Sequence, residues 1–316
     1  MNGGVYEGLY HLYEGMPATL IPSMRRTKAQ AHLLVDIGTL EARVVASVAG
    51  SSTLVDTYQT TASGYKSFLY QVVANYQETE VEHHEETESK SPIHSLEDAN
   101  AVVQAWAALS FSSSFDSNTI SVELPSHAHQ RQIDSDTETA IKLSTQPLMN
   151  AFYQIYLDYT NPSSLTFAIL TCVMKCPIDF RRAVLQNIIL LGGGSVALRH
   201  FCLPRAVKSV GQSCQGFGRQ LEFSMRDACG ISREESNDDI KEEKKKENVS
   251  FNTSPIAQHH FQSLRGAVKG CANQDGDIMG GICVQYPDPF AADLAAWIGG
   301  SVMGTLGFTH YQKKFQ

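Results

Sequence analysis

The chain has 316 residues, which at roughly 150 residues per domain predicts about two domains or one large bilobed domain. Hydrophobic residues make up 42% of the chain and charged residues 18%, so it can bury a core and is not disordered as a whole. A formal net charge of −8 provides no broad cationic field. This argues against a sequence-independent nucleic-acid binder, and we expect no direct nucleic-acid partner.

Cysteine usage and hydropathy indicate the compartment. The seven cysteines are an odd number, and Met1 is followed by no basic and then apolar leader, so we expect reduced thiols in the cytosol or nucleus. Residues 294–308 are uncharged but include four glycines, and they are shorter than the roughly 20 apolar residues that a membrane span requires. We expect a buried helix there and no membrane span.

The first informative stretch predicts an antiparallel meander of three strands. Residues 32–35 form a short apolar run, residues 41–48 resume with β-branched side chains, and residues 53–58 read as a third strand. Polar, glycine-containing turns separate the three runs. Asp36 lies where the first strand ends, so we expect its carboxylate to face whatever approaches the turn.

The middle of the chain alternates helical and strand signals. Residues 65–76 are amphipathic at helical spacing, and residues 78–88 contain six glutamates that predict a solvated loop. Ser95 followed by Asp98 predicts a capping box for a helix over residues 96–109. The remaining signals are a strand over 119–124, helical patterns from 137 onward, and helices over 148–157, 163–175 and 180–186.

A second strand and turn follow late in the chain. Residues 187–191 are an uninterrupted apolar run, which favours a strand covered on both faces. The run continues into three glycines and Ser195, where free backbone N–H groups could approach a ligand closely. Residues 214–280 are interpreted as a largely mobile insertion, because residues 232–247 mix acids with lysines without an apolar period. Residues 282–286 predict a final strand before an apolar helix around Trp297.

Four of these segments, taken in order, resemble the actin superfamily. Residues 34–38 look like its second phosphate loop, and residues 173–182 are similar to its "MKC-D-RK" helix junction. Residues 187–195 resemble its adenosine-contacting turn, and residues 296–301 resemble its closing helix. The resemblance implies an α/β, actin-like fold of the ribonuclease-H-like/actin ATPase type, present in part and lacking the first phosphate-loop subdomain.

The resemblance also implies a division of the chain into five segments. These are a first part of the large-lobe core (1–63), an inserted subdomain (64–148), a second part of the large-lobe core (149–213), a low-complexity mobile insertion (214–280), and a C-terminal strand and helix (281–316). A fold that starts at its second phosphate loop is also what a truncated gene model would produce, so we expect upstream sequence to decide this point.

The resemblance implies that ATP or ADP would contact two turns, and the candidate cofactor-binding residues are Asp36, Gly38, Thr39, Gly192, Gly193, Gly194 and Ser195. The departures argue against retention of the nucleotide. The family's second Asp and following Gly fall at Thr39 and Leu40, and its base-cradling Lys-Glu pair falls at Ala101 and Val102. No acid or lysine that could activate water is recognisable, so we expect no catalytic residue, no metal ligand and no ATPase activity.

Each candidate also has a purely structural interpretation. Asp36 and Gly38 fit a tight hairpin as well as a relic phosphate turn, and the glycine run fits close helix–strand packing as well as a nucleotide turn. Cys172 and Cys176 have helical i, i+4 spacing and are interpreted as core thiols. Six histidines in three polar segments are interpreted as surface residues rather than a zinc site: His83, His84, His127, His129, His259 and His260.

The sequence therefore predicts a non-catalytic, actin-related scaffold or capping subunit. The resemblance implies other actin-related or dynactin-type subunits as partners and a cytoplasmic, cytoskeleton-associated location. Two alternatives stay open at this point: an ATP-binding actin-like enzyme, and an actin-related subunit of a nuclear chromatin-remodelling complex.

Overall fold

The structure of the chain is a computed structural model. It describes residues 31–48, 58–81, 93–109, 118–128, 140–201, 216–230, 261–269, 282–287 and 291–294. Helices and strands alternate along these ranges, which confirms the predicted α/β class.

A five-stranded mixed sheet lies at the centre of the described residues. Its strands are β1 (Ala31–Ile37), β2 (Ala42–Val48), β3 (Tyr58–Thr61), β6 (Ile188–Leu191) and β7 (Val284–Gln285), in the spatial order β3-β2-β1-β6-β7. β2 is antiparallel to β1 and β3, whereas β6 is parallel to β1 and β7. One strand therefore runs against the other four. A separate hairpin joins β4 (Thr119–Val122) and β5 (Ile141–Ser144).

β6 is buried on both faces, as its uninterrupted apolar sequence predicts. In the neighbouring β1, Leu33, Val35 and Ile37 have no exposed surface on one face, whereas His32 and Asp36 are half-buried on the other. A strand such as β6 needs helices on both sides of the sheet, because neither of its faces carries side chains that water could solvate. The buried run is therefore the physical reason for the layered α/β arrangement.

Nine α-helices complete the described elements. They are α1 (Tyr65–Val81), α2 (Leu96–Leu109), α3 (Pro125–Ala128), α4 (Gln146–Phe152), α5 (Leu165–Lys175), α6 (Ile178–Leu185), α7 (Gly193–Leu198), α8 (Gly216–Ala228) and α9 (Arg265–Lys269). α4 continues as a π-helical turn over Tyr153–Leu157, and a 3-10 turn over Gln262–Leu264 precedes α9.

A cluster of buried aromatic rings joins several of these helices. Phe152 of α4 stacks on Phe201 with ring centroids 4.2 Å apart, and it meets Phe68, Tyr156 and Phe217 at 5.3–6.0 Å. All five rings are fully buried. Phe68 belongs to the predicted inserted subdomain and Phe152 to the predicted second core segment, so side chains from these two segments share one core. The predicted domain boundaries themselves stay predictions.

The capping box predicted at the start of α2 is confirmed. The Asp98 N–H donates to Ser95 Oγ over 3.1 Å, and Asp98 Oδ2 accepts from the Ser95 N–H over 3.2 Å. The other carboxylate oxygen, Oδ1, accepts from the backbone N–H of Ser126 in α3 over 3.0 Å. Burial would raise the pKa of Asp98, but the hydrogen bonds from Ser126 and Ser95 outweigh it and hold this pKa below its ordinary value.

Replacing Asp98 with asparagine is expected to lower the free energy of unfolding at pH 7 by about 1–3 kcal/mol, because charge-assisted bonds from the backbone N–H groups of His94, Ser95 and Ser126 are weakened. The pKa of Asp98 in the folded protein lies below its ordinary value of 3.8. The stabilisation by the ionised carboxylate is therefore complete above pH 3.8, and it disappears as the pH falls through the folded-state pKa. Urea denaturation at pH 7 and pH 3 measures the difference, which should shrink at the lower pH. Glu97→Gln, at an exposed neighbouring carboxylate, is the control and should change stability little at either pH.

Residues 141–144 are a strand, although helical signals were predicted from residue 137 onward. Leu143 is buried and pairs with Ile120 of β4, and Ile141 pairs with Val122. The alternation of apolar and polar side chains over this segment has the period of a strand, and the cross-strand apolar pairs stabilise it. The predicted loop over residues 78–88 is also wrong at its start, since α1 continues to Val81.

The prediction of a mobile insertion over residues 214–280 is wrong for two described parts of it. Phe217, Leu221 and Met225 recur every four residues along α8 and are fully buried. Phe261, Leu264 and Val268 are buried around α9. These residues form apolar stripes at helical spacing, and the polar run of residues 232–247 between them concealed the two short patterns.

Several predicted features lie outside the described residues. The third strand was predicted over residues 53–58, of which only Tyr58 is described. The predicted helix around Trp297 also lies outside the described residues. Of the six histidines considered above, only His127 falls within a described range, in α3. Within the described ranges, no helix is both long enough and apolar enough to cross a membrane.

Candidate functional site

The two predicted turns lie side by side at one edge of the sheet. β1 and β6 are parallel neighbours, with Asp36 opposite Leu191 in the register. Both strands therefore end at the same level, at the carboxyl edge where α/β sheets usually bind ligands. The structure brings Asp36 against Gly192, and it brings Ile37 against both Gly192 and Gly194.

Close packing requires two of the three glycines. Gly192 has φ +85° and ψ 161°, a backbone conformation that only glycine adopts readily. A Cβ atom there would overlap Asp36 Oδ1 and lie 2.5 Å from the Ile37 carbonyl oxygen, and one at Gly194 would lie 2.6 Å from Ile37 Cγ2. Gly193 instead faces open space. The observed contacts thus favour the packing interpretation for Gly192 and Gly194.

Two polar groups of the glycine turn are engaged within the protein. The Gly192 N–H donates to the Ala292 carbonyl oxygen over 2.9 Å. Ser195 is fully buried, and its hydroxyl donates to the Gly192 carbonyl oxygen over 2.8 Å. Neither group points toward a ligand. No local sequence signal identified Ala292, which lies a hundred residues further along the chain.

The turn after β1 caps a helix. The Gly38 N–H donates to the Glu41 carbonyl oxygen over 3.0 Å, which closes the hairpin. The carbonyl oxygens of Gly38 and Thr39 accept from the N–H groups of Tyr65 and Lys66 over 3.0 and 2.7 Å, at the first turn of α1. These bonds satisfy two of the N–H groups that a helix N-terminus leaves unpaired. Gly38 and Thr39 therefore support α1.

Large apolar side chains are exposed around this edge. Leu40, between β1 and β2, is 66% exposed, Val196 of α7 is 43% exposed and Leu294 is 52% exposed. Each follows a strand end at the carboxyl edge. These apolar side chains offer no charge and no hydrogen-bond donor to the phosphates of ATP, which bind to free N–H groups at close backbone approach.

A buried carboxylate holds β7 in the sheet, and β7 precedes the segment that contacts Gly192. Glu222 of α8 accepts from the Val284 N–H through Oε1 and from the Arg219 guanidinium through Oε2, both over 2.8 Å. Burial raises the pKa of Glu222, and the bonds from Val284 and Arg219 offset this only in part. The guanidinium of Arg199, at the end of α7, also lies 4.8 Å from the Tyr286 ring.

Replacing Glu222 with alanine is expected to lower the free energy of unfolding by about 2–4 kcal/mol, because the half-buried Val284 N–H and Arg219 lose their acceptors. Glu222→Gln keeps one acceptor oxygen for the Val284 N–H but presents an amide donor to Arg219, so it should lose less stability than the alanine variant, about 1–2 kcal/mol. The pKa of Glu222 is higher in the folded protein than its ordinary value of 4.5. Protonated Glu222 therefore favours the folded state below pH 4.5, and this stabilisation is lost as the pH rises through the folded-state pKa. Denaturation curves at pH 4 and pH 8 should therefore show the wild type losing stability relative to Glu222→Gln. Equal losses for the alanine and glutamine variants would contradict the role of the acceptor.

The remaining candidates have structural environments. Cys172 and Cys176 are buried, and the Cys176 thiol donates to the Cys172 carbonyl oxygen over 3.4 Å, which confirms the interpretation as core thiols. Val102, aligned with a base-cradling residue of the actin family, is fully buried in α2. Among the residues that the structure describes, no three His, Cys, Asp or Glu side chains form a group that could hold a metal ion.

Comparison with known proteins adds no family assignment. The sequence matches no protein-family model, and no curated protein is significantly similar to it.

Proposed function

We propose that this chain is a non-catalytic, actin-related scaffold or capping subunit of a dynactin-type complex, located in the cytoplasm with the cytoskeleton. Support comes first from the sheet. The order β3-β2-β1-β6-β7 with β2 antiparallel to the rest is the one expected of a ribonuclease-H-like lobe, the unit from which actin-type proteins are built. Residues 176–179, with proline directly after the cysteine, also resemble the actin-related subunit at the pointed end of dynactin.

The non-catalytic part of the proposal rests on the hydrogen bonds that groups of the two turns donate within the protein. The Gly38 N–H, the Gly192 N–H and the Ser195 hydroxyl each donate to a carbonyl oxygen of the protein itself. Together with the sequence resemblance, these occupied donors support use of the surface over use of nucleotide chemistry.

A capping subunit of this kind stops growth by asymmetry. Actin-type filaments grow through heterologous contacts, in which one face of a subunit binds the opposite face of the next. A subunit that keeps one cognate face and has lost the other binds the filament end and offers no site for a further subunit. We assign this role to the chain as a whole.

Affinity purification of the tagged, full-length protein from its own cells tests the proposal. We expect stoichiometric actin-related and dynactin-type subunits in the eluate, and sedimentation of the protein with a large complex. A Gly193→Ala variant, altered at the glycine that faces open space, is the matched control and should recover the same subunits. A monomeric protein without cytoskeletal partners, or one that co-purifies with chromatin-remodelling subunits, would refute the proposal.

A further inference from the structure

A side chain, rather than a neighbouring strand, binds the outer edge of β7. Among the described residues, β7 is the last strand on its side of the sheet, and Ile188 of β6 lies opposite Val284 in the parallel register. The Ile188 N–H donates to the Cys283 carbonyl oxygen over 3.0 Å, so the Val284 N–H points away from β6. Glu222 of α8 accepts from this N–H over 2.8 Å. The carboxylate therefore takes the place of a further strand.

Arg199, at the end of α7, connects α8 and β7 with the helix that follows the glycine turn. Its carbonyl oxygen accepts from the Phe217 N–H of α8 over 3.3 Å, and its guanidinium lies 4.8 Å from the ring of Tyr286, which follows β7. Further along the chain, the Ala292 carbonyl oxygen accepts from the Gly192 N–H over 2.9 Å. These three contacts link α8, β7 and the glycine turn directly to one another.

Glu222 is a buried charged group at the junction of α8 with β7. Its side chain is 6% exposed, whereas that of its partner Arg219 is 27% exposed. The described elements packed most closely against α8 are β7 and α7, which carry no ionisable side chain, and the π-helical turn and α5, which carry Tyr153, Tyr156, Cys172 and Lys175. Among the described residues, the charges that act on the carboxylate are those of Arg219 and Arg226, both on α8. Burial outweighs these charges and raises the pKa of Glu222.

We propose that Glu222 is a proton-sensitive switch at the junction between α8, β7 and the glycine turn. The protonated side chain keeps β7 against α8, and ionisation makes their separation easier, because water solvates the charge only when the two elements part. Separation breaks the bond of the Val284 N–H together with the contacts of Arg199 and Ala292, so the glycine turn opens in the same event. This opening costs less free energy than global unfolding. The switch does not depend on the chain being an actin-related subunit.

Amide hydrogen exchange of the purified, full-length protein, followed by NMR, tests the switch. The amides of Phe217, Val284 and Gly192 detect the separation, because each is bonded across the junction. The Leu33 N–H, which donates to the Asn187 carbonyl oxygen over 2.8 Å, detects unfolding of the sheet centre. We expect the three junction amides to exchange faster than Leu33, and their protection factors to fall by at least about threefold between pH 4.5 and pH 8.

Three variants distinguish the switch from a purely structural bond. Glu222→Gln keeps an oxygen for the Val284 N–H but does not ionise, so the protection factors of the junction amides should stay within about twofold over this pH range. Arg219→Gln removes a cation that lowers the pKa of Glu222, so the fall in protection should extend to higher pH. Glu97→Gln, at an exposed carboxylate of α2, is the matched control and should keep the wild-type pH dependence.

A measurement on the wild-type protein keeps the test valid even when a variant does not fold. The carbon-13 resonance of the Glu222 carboxyl group follows its ionisation in the folded protein. We expect the protection factor of Val284 to stop falling at the pH where this resonance has completed its titration, because the linkage ends at the folded-state pKa.

Several results would overturn the proposal. One is a protection factor that does not change with pH at the junction amides of the wild type, and another is an equal pH dependence in folded Glu222→Gln. Exchange of the junction amides at the rate of Leu33 would do the same, because Glu222 would then act only on the stability of the whole fold. Exchange of Gly192 at a different rate from Phe217 and Val284 would contradict the inclusion of the glycine turn.

Discussion

Replacing Gly192 with alanine is expected to destabilise the protein by about 3–5 kcal/mol, a large part of the 5–15 kcal/mol that holds a domain folded. The backbone there, with φ +85° and ψ 161°, costs a non-glycine residue about 1–3 kcal/mol. The new methyl group would also overlap the Asp36 carboxylate and the Ile37 carbonyl. To remove this overlap, β1 and β6 would have to separate at their ends, which would disturb the buried centre of the sheet.

Gly193→Ala is the control for this prediction. It lies one residue away, at the start of α7, and a Cβ atom there meets nothing within 4 Å. Alanine in this position should change stability by no more than about 1 kcal/mol. Urea denaturation of the two variants, followed by circular dichroism, makes the comparison. Similar losses of stability for both variants would show that Gly192 is not more tightly packed than Gly193.

Replacing Phe152 with alanine is expected to destabilise the protein by about 3–5 kcal/mol. Its ring is fully buried and contacts four other aromatic rings, so the substitution leaves a cavity that none of them can fill from its own position. Those rings come from α1, the π-helical turn, α8 and the segment after α7. We expect near-ultraviolet circular dichroism to lose intensity together with the fall in the denaturation midpoint.

Tyr156→Phe is the matched control within the same cluster. The Tyr156 ring is fully buried, and its hydroxyl has no hydrogen-bond partner among the described residues. Removing this hydroxyl keeps the ring in place and should be neutral or stabilise the protein by up to about 1 kcal/mol. A loss from Phe152→Ala no larger than about 1 kcal/mol would contradict a central role of the cluster.

The elements that the sequence predicted well are those whose signal is local. The buried runs of β1 and β6 and the Ser95–Asp98 capping box each follow from a few neighbouring residues, and the structure contains all of them. The proximity of Asp36 to the glycine turn was implied by the resemblance to an actin-type fold. The structure places these residues together through the parallel register of β1 and β6.

The features that sequence reasoning missed depend on distant residues. Ala292 accepts from the Gly192 N–H, and Glu222 accepts from the Val284 N–H, over separations of 100 and 62 residues. Neither pair has a local sequence pattern. Every residue provides a carbonyl oxygen, so Ala292 is not distinguished, and the sequence does not distinguish a buried glutamate such as Glu222 from an exposed one. Gly38 likewise suggested a ligand turn, whereas its carbonyl oxygen caps α1 and its N–H closes the hairpin.

These missed contacts decide what the candidate site can do. From sequence alone, the two glycine turns could have been a nucleotide site or a packing arrangement. The Gly38 and Gly192 N–H groups and the Ser195 hydroxyl prove to be bonded within the protein, and large side chains exposed around them are apolar. These contacts connect Gly38, Gly192 and Ser195 with the stability of the fold.

Equilibrium dialysis of the purified, full-length protein against labelled ATP with Mg²⁺ tests this account most directly. We expect no saturable binding up to about 1 mM nucleotide and no phosphate release, because the Gly38 and Gly192 N–H groups and the Ser195 hydroxyl already donate to carbonyl oxygens of the protein. Gly193→Ala and Asp36→Ala proteins should give the same result. Micromolar binding with turnover, abolished by Asp36→Ala in a protein that remains folded, would contradict the account.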